Sequence, residues 1–348
     1  MKSASCRDPR RSWMLVMALA GLGAVCTAFA AETPHYHLLK SVILGGSDGW
    51  DYLTIDSLTH RLYITRGTHV MVVDAADGAL IDDIRGFERV HGVALAHDRA
   101  YVSDGGADAV VVIDRRSLRK LETIGAGKGP DGILYDAFSD RVFAFNGGSG
   151  DATAIDTRTG RVAGTVALGG KPEAAAADGR GTIFVNIEDK SEVAAFDSKT
   201  LKVRRRWSLG SCEEPSGMAI DRLHARLFSG CRNSMMAVSD TRGGKVVATV
   251  PIGAGVDSNR FDPSGGLVYS SNGVSGTLTV VRELTPNDYT VLENVPTMRS
   301  ARTMELDLNT HEVYLVGAQL APTVATPDHP HPRPTVVPGT FRLLILGR

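Results

Sequence analysis

Along this chain, short apolar stretches alternate with polar turns, and no window carries the 3.6-residue spacing of an amphipathic helix. An aromatic followed by small or β-branched residues recurs seven times: Tyr63-Ile64-Thr65, Tyr101-Val102-Ser103, Phe143-Ala144-Phe145, Phe184-Val185-Asn186, Phe228-Ser229-Gly230, Tyr269-Ser270-Ser271 and Tyr314-Leu315-Val316. The intervals between the aromatics are 38, 42, 41, 44, 41 and 45 residues, each long enough for four short strands and their turns.

Each repeat has the same internal order. A first apolar stretch ends in Asp, as in Leu53-Thr54-Ile55-Asp56 and Met218-Ala219-Ile220-Asp221. The aromatic strand follows, then a third strand ending in Asp (Val111-Val112-Ile113-Asp114), a turn such as Thr157-Arg158-Thr159-Gly160, and a fourth strand. Asp before a turn and Gly within it satisfy local backbone groups and supply positive φ, so these residues read as structural. After Tyr314 only one more strand is visible, Phe341 to Leu346, and residues 37–44 form an orphan strand ahead of the first repeat. Pairing the two leaves no open edge. The expected fold is therefore all-β: a seven-bladed β-propeller of four antiparallel strands per blade, its last blade closed by the N-terminal strand. The blades fall at about 50–86, 87–127, 128–170, 171–211, 212–254, 255–298 and 299–348 plus 37–44.

The first thirty residues read differently. Lys2, Arg7, Arg10 and Arg11 precede an apolar run from Trp13 to about Val25, and Ala28-Phe29-Ala30 has the small-x-small pattern of a cleavage site. Residues 1–30 are expected to be a signal peptide and 31–348 a single propeller, periplasmic or secreted. Arg10-Arg11-Ser12-Trp13-Met14 weakly resembles a twin-arginine signal, and the general secretory route is the first expectation. Removing the leader takes out four Lys/Arg and one Asp, leaving 34 basic and 38 acidic residues, a balance that argues against nucleic acid as partner. Two cysteines remain, Cys212 and Cys231, before the first strand and at the end of the second strand of blade five. Antiparallel pairing would bring them together as a disulfide, a reactive pair being the alternative.

These repeats resemble the YVTN-type β-propeller repeat, and the chain over residues 37–348 resembles the exported YncE-like proteins built from it. The resemblance implies a non-catalytic binding or interaction propeller in the periplasm.

Propellers hold ligands at the mouth of the central channel, where the innermost strands begin. Aligning the first strands on their terminal Asp brings one register into view: Asp51, His91, Asp131, Glu173, Ser216, Asp257 and Arg302, with Trp50, Pro172, Glu213, Glu214, Asn259 and Arg260 beside it. Carboxylates crowded on one ring repel, so they need a cation. A divalent ion such as Ca²⁺ on Asp131, Glu173 and Asp257, or Arg302 in its place, would supply one. Trp50, Asp51, Glu214, Ser216, Asn259 and Arg260 are the expected ligand contacts, for a small polar ligand or a periplasmic protein partner of a monomeric chain. Solvated groups at a wide funnel are the bland alternative.

Two further segments carry candidate chemistry. His329-Pro330-His331-Pro332-Arg333-Pro334 lies in a Pro-rich insertion, Pro322 to Pro338, that reads as a polyproline loop or a transition-metal site. Lys202-Val203-Arg204-Arg205-Arg206-Trp207 reads as a charged outer edge against aggregation or as an anion patch. The sequence has no C-x-x-C-H, G-x-S-x-G, H-E-x-x-H or P-loop motif. Binding is thus the leading expectation. A lactonase-like, metal-assisted hydrolase or lyase is the alternative, with His91 as general base and Arg302 orienting an anionic substrate.

Overall fold

The computed structural model describes residues 33–323 and 334–348, so the leader and the His329–Arg333 segment lie outside the described residues. Among the described residues, 28 strands form seven sheets of four. Six sheets run in simple sequence order. The seventh is closed by chain ends: His37–Ile43 pairs antiparallel with Arg342–Gly347, which pairs with Val313–Gly317 and then Met304–Leu306. The fold is the seven-bladed, all-β propeller that the repeat spacing predicts.

Burial explains why the blades stack. Second and third strands are buried almost throughout, as in Arg61–Arg66 and Ala109–Asp114, whereas outer strands such as Leu80–Arg85 and Lys120–Gly125 are mostly exposed. Each of the seven recurring aromatics is at most 3% exposed and packs in a cluster shared between blades. Phe143 meets Phe196 of the next blade at 5.4 Å between ring centres, and Phe228 meets Phe261 at 5.6 Å. Since each blade buries one face against its neighbour, every aromatic strand depends on the blade beside it.

The third-strand Asp residues act as the turn chemistry requires. Asp114 Oδ1 accepts from the Ser117 amide at 2.6 Å, Asp156 Oδ1 from Thr159 at 3.0 Å and Asp197 Oδ1 from Thr200 at 2.6 Å. Cys212 and Cys231 form a disulfide with a Cα–Cα distance of 5.4 Å, across the start of blade five. The basic outer strand Val203–Ser208 spends its charge locally, Arg204 on Asp197 and Arg206 on Glu192 at 2.7 Å, so it is an edge and not an open anion patch. Leu320 and Val336 make an isolated bridge at the base of the Pro-rich insertion. No helix among the described residues is long and apolar enough to cross a membrane.

Candidate functional site

In four blades a polar residue two places after the recurring aromatic reaches across to the next blade's innermost strand. Thr65 Oγ donates to the His91 carbonyl at 2.8 Å, Ser103 Oγ to Asp131 O at 2.6 Å and Asn186 Nδ2 to Ser216 O at 3.1 Å, while Ser271 Oγ donates to Arg302 O. Thr303 Oγ donates to Asp51 O at 2.9 Å, which carries the tie across the closed seam. These bonds, buried or partly buried, fix the ring residues against their neighbours, so the site is part of the inter-blade packing.

The neighbouring innermost strands also lie very close. The residue after each ring position is Tyr52, Gly92, Gly132, Ala174, Gly217, Ser258 or Thr303. A Cβ at Gly132 would sit 3.0 Å from the Glu173 carbonyl oxygen, tighter than ordinary contact. Tyr52 is the one large side chain at a position where the other six blades have Gly, Ala, Ser or Thr. Its hydroxyl is held well above the usual tyrosine range by burial and then by the charges of Glu173, Asp131, Asp257 and Asp51. Feeling carboxylates from four different blades places Tyr52 where the ring converges. Sequence reading passed over it; the break in a small-residue position was the available signal.

The ring side chains are joined in pairs. His91 Nδ1 lies 2.6 Å from Asp51 Oδ2 and 3.5 Å from Asp131 Oδ1, three consecutive blades meeting at one nitrogen. Arg302 Nε donates to Asp257 Oδ2 at 2.8 Å, and its Nη2 to the Trp50 carbonyl at 2.8 Å. Lys171 Nζ bridges Glu173 at 2.8 Å and Glu188. Arg260 Nε meets Glu305 Oε1 at 2.7 Å. Lys171, Glu188 and Glu305 complete the network and were not among the residues expected from the sequence.

This pairing leaves an electrostatic residue. Burial raises Asp131 to about 6, with the Asp51 charge adding to it against His91. Burial likewise raises Asp257 to about 6, where Arg302 opposes and Asp51 reinforces the shift. Glu173 is pushed up by burial and by Asp131, against the pull of Lys171. Burial alone would lower His91, but its bond to Asp51 and the charges of Asp131 and Asp51 outweigh that and raise it. The mouth is short of cations, most clearly at the Asp51–His91–Asp131 cluster.

Several expected residues stand elsewhere. The ring of Trp50 is buried against Phe341 at 5.4 Å, closed to a ligand on that side, although the Arg302 guanidinium lies over it at 5.3 Å. Asn259 is fully buried, with Nδ2 3.1 Å from Met236 Sδ of blade five, packed between blades five and six instead of facing the channel. Ser216 donates to Val256 O at 2.9 Å as an inter-blade tie. Glu214 is on the outer rim, paired with Arg232 and lining an open groove with Glu188, Asp189, Ser191 and Glu213. The expected cation set of Asp131, Glu173 and Asp257 is also regrouped: Glu173 goes to Lys171 and Asp257 to Arg302, while Asp131 joins Asp51 and His91, whose ligand atoms all lie within 4.8 Å of one another. His91, expected as a general base, has its Nδ1 committed between two carboxylates.

Neither a protein-family model nor a curated protein matches the chain. Solved structures do. The structure of U3-55K is similar over 90% of this chain and 99% of its own, with a TM-score of 0.72 at 10% identity. The RRP9 WD40 repeats match over 89% of this chain and 97% of theirs, with a TM-score of 0.73 at 10% identity. A chain of a mitotic checkpoint complex matches over 98% of this chain and 99% of its own, with a TM-score of 0.72 at 15% identity. At these identities the likeness is one of fold: the chain has the architecture of WD40 seven-bladed β-propellers.

Proposed function

We propose that this chain is an exported binding propeller, of the YncE-like kind its repeats resemble, whose channel mouth takes a small polar ligand through a cationic group. One observation carries the reading: Asp51 and Asp131 converge on a single imidazole nitrogen, at 2.6 and 3.5 Å, and among the described residues neither is ion-paired with a Lys or Arg. A ligand ammonium or guanidinium set between them would offset the burial and the Asp51 repulsion that together raise Asp131. The acidic groove of Glu188, Asp189, Glu213 and Glu214 extends the same charge outward, and Lys171 links it to the ring through Glu173. Propellers commonly serve as protein-interaction modules, so a basic segment of a partner protein fits the same surface. Export is supported by the leader-like residues 1–30 and by the Cys212–Cys231 bond, which suits an oxidising compartment.

Calorimetric titration of the purified chain with ethylenediamine, Ca²⁺ and acetate tests this. The diamine is expected to bind, and to lose that binding when Asp51→Asn and Asp131→Asn are combined. Binding of acetate alone, or diamine binding untouched by the double substitution, would overturn the reading.

A second reading is favoured by the compactness of the Asp51–His91–Asp131 cluster, a metal-assisted hydrolase or lyase. In it His91 would serve as a metal ligand, and the metal would polarise a carbonyl. Ca²⁺ binding in the titration together with lactone turnover would select this alternative.

A further inference from the structure

The face opposite the mouth holds a second acidic cluster, built where blade six meets blade five. Asp221 ends the innermost strand Pro215–Asp221, His224 lies in the turn that follows, and Glu283 is near the end of Thr277–Thr285 in blade six. His224 Nδ1 lies 2.6 Å from Asp221 Oδ2 and 3.1 Å from Glu283 Oε1. The two carboxylate side chains are 4% and 3% exposed, whereas His224 is 43% exposed. Among the described residues, Glu283 Oε2 has no hydrogen-bond donor, and Oε1 has only His224 Nδ1 beside it.

The repeat supplies an internal control. Glu283 follows Arg282, which pairs with Leu267, and Arg115 follows Asp114, which pairs with Arg99; the two occupy the same position in their blades. Arg115 reaches back to Asp56, the terminal Asp of the preceding blade, and pairs with it at 2.6 Å. Between blades five and six the corresponding group is a second carboxylate. The neighbouring hairpin is also longer than elsewhere, with strands of nine residues, and is pinned to blade five by Arg226, whose Nε donates to Pro286 O at 2.6 Å and Nη2 to Asn287 Oδ1 at 3.0 Å. Burying Glu283 beside Asp221 with only one imidazole to share carries a cost that a further positive charge would remove.

We propose that Asp221, His224 and Glu283 form a binding site for a divalent transition-metal ion of the Zn²⁺ type. One imidazole nitrogen and two carboxylate oxygens are a donor set Zn²⁺ accepts, and all three ligand atoms lie within 4.8 Å of one another. The half-exposed His224 leaves a path for the ion and room for water as the fourth ligand. Binding requires His224 Nδ1 as a lone-pair donor, so the proton it shares with Asp221 is released to solvent when the metal enters. The geometry suits a structural clamp between two blades; the site stands apart from the channel mouth and does not depend on the reading given for it.

The test uses an untagged chain carrying His329→Ala and His331→Ala, which removes the other candidate metal segment. After chelator treatment and dialysis, Zn²⁺ is titrated by calorimetry and the bound metal is counted by elemental analysis. One equivalent is expected, with a rise of several degrees in melting temperature. His224→Ala, a change at a half-exposed position, should weaken binding at least tenfold. Glu283→Arg should abolish it and stabilise the metal-free protein by recreating the Arg115–Asp56 pairing. Asp131→Asn at the mouth should leave it unchanged. No bound Zn²⁺, or binding equal in wild type, His224→Ala and Glu283→Arg, would overturn the proposal. Loss of the metal with Asp131→Asn alone would do the same, by assigning it to the mouth.

Discussion

Both ends of the propeller hold two carboxylates that share one histidine, but they differ in how the carboxylates around that cluster are answered. At the mouth, long cations from neighbouring segments answer most of them: Arg302 takes Asp257, Lys171 takes Glu173, and Arg260 takes Glu305. At the foot of blades five and six, Glu283 is buried against Asp221 with only His224 between them. The foot of blades one and two, with Arg115 on Asp56, shows that the fold itself accommodates a cation there. The lesson is that one repeated register generates both faces. What distinguishes a structural junction from a candidate site is which charge the next blade places in the shared position.

The largest effect is expected where that comparison is cleanest. Arg115→Ala leaves Asp56, 2% exposed, as an uncompensated buried charge and should cost about 3 kcal/mol in chemical denaturation. The pH dependence is diagnostic as well. Burial alone would raise Asp56, but Arg115 and Thr59 hold it below the usual carboxylate range. That contribution is present above the unfolded pKa and is lost as pH falls through the folded one. In Arg115→Ala that acid-side loss should shrink or vanish, so the destabilisation is largest near neutral pH and narrows as pH falls through the carboxylate range; a deficit equal at every pH would mean the pair is inert.

A smaller effect is expected at the mouth. Arg302→Ala exposes Asp257 to repulsion, but Asp257 has a side chain 24% exposed to solvent, and about 1–2 kcal/mol is expected. If Arg302→Ala costs more than Arg115→Ala, the mouth is the more tightly organised end and the contrast is reversed.

The smallest effect concerns pH with the sign opposite to that of Asp56. Asp131 and Asp257, both raised to about 6, keep protons in the folded chain that the unfolded chain releases. Their contribution is full below the unfolded carboxylate pKa and is lost as pH rises from about 4 to about 6. His91, also raised, adds a loss at the upper end as pH passes its folded pKa. Melting temperature should therefore decline by a few degrees from this source across pH 4 to 7. Asp131→Asn should flatten the decline and lower the His91 pKa, followed by its imidazole NMR signals. A profile identical in wild type and Asp131→Asn would remove Asp131 from the buried network.

The fold was legible because its signal is repeated. Seven aromatics at near-equal spacing and two matching orphan strands need no long-range information to be counted. The ring was legible only as a register. Innermost strands start with irregular pairing, between Val90 and Val93, Pro130 and Ile133, Pro172 and Ala175, Pro215 and Met218, and Val256 and Ser258. Such bulges break the two-residue alternation, so a sequence cannot say which neighbour of the ring faces the channel. That is why Asn259 is buried between blades five and six instead of facing the channel. The Asp221–His224–Glu283 cluster was invisible for a different reason: Glu283 comes from the next blade, and nothing local to Asp221 announces it.

The closing strand has a mechanical consequence. Because His37–Ile43 runs antiparallel to Arg342–Gly347, His37 stands opposite Gly347, and the two chain ends leave the ring side by side. Tension applied between the ends would load one pair of residues at a time, peeling the seam like a zip from His37 inward. Were the strands parallel, the same pull would shear all the pairs together. The seam that removes the ring's open edges at equilibrium is thus also its point of least resistance to traction. A propeller of this build is best anchored through one terminus or through its blades, and poorly suited to bear load between both ends.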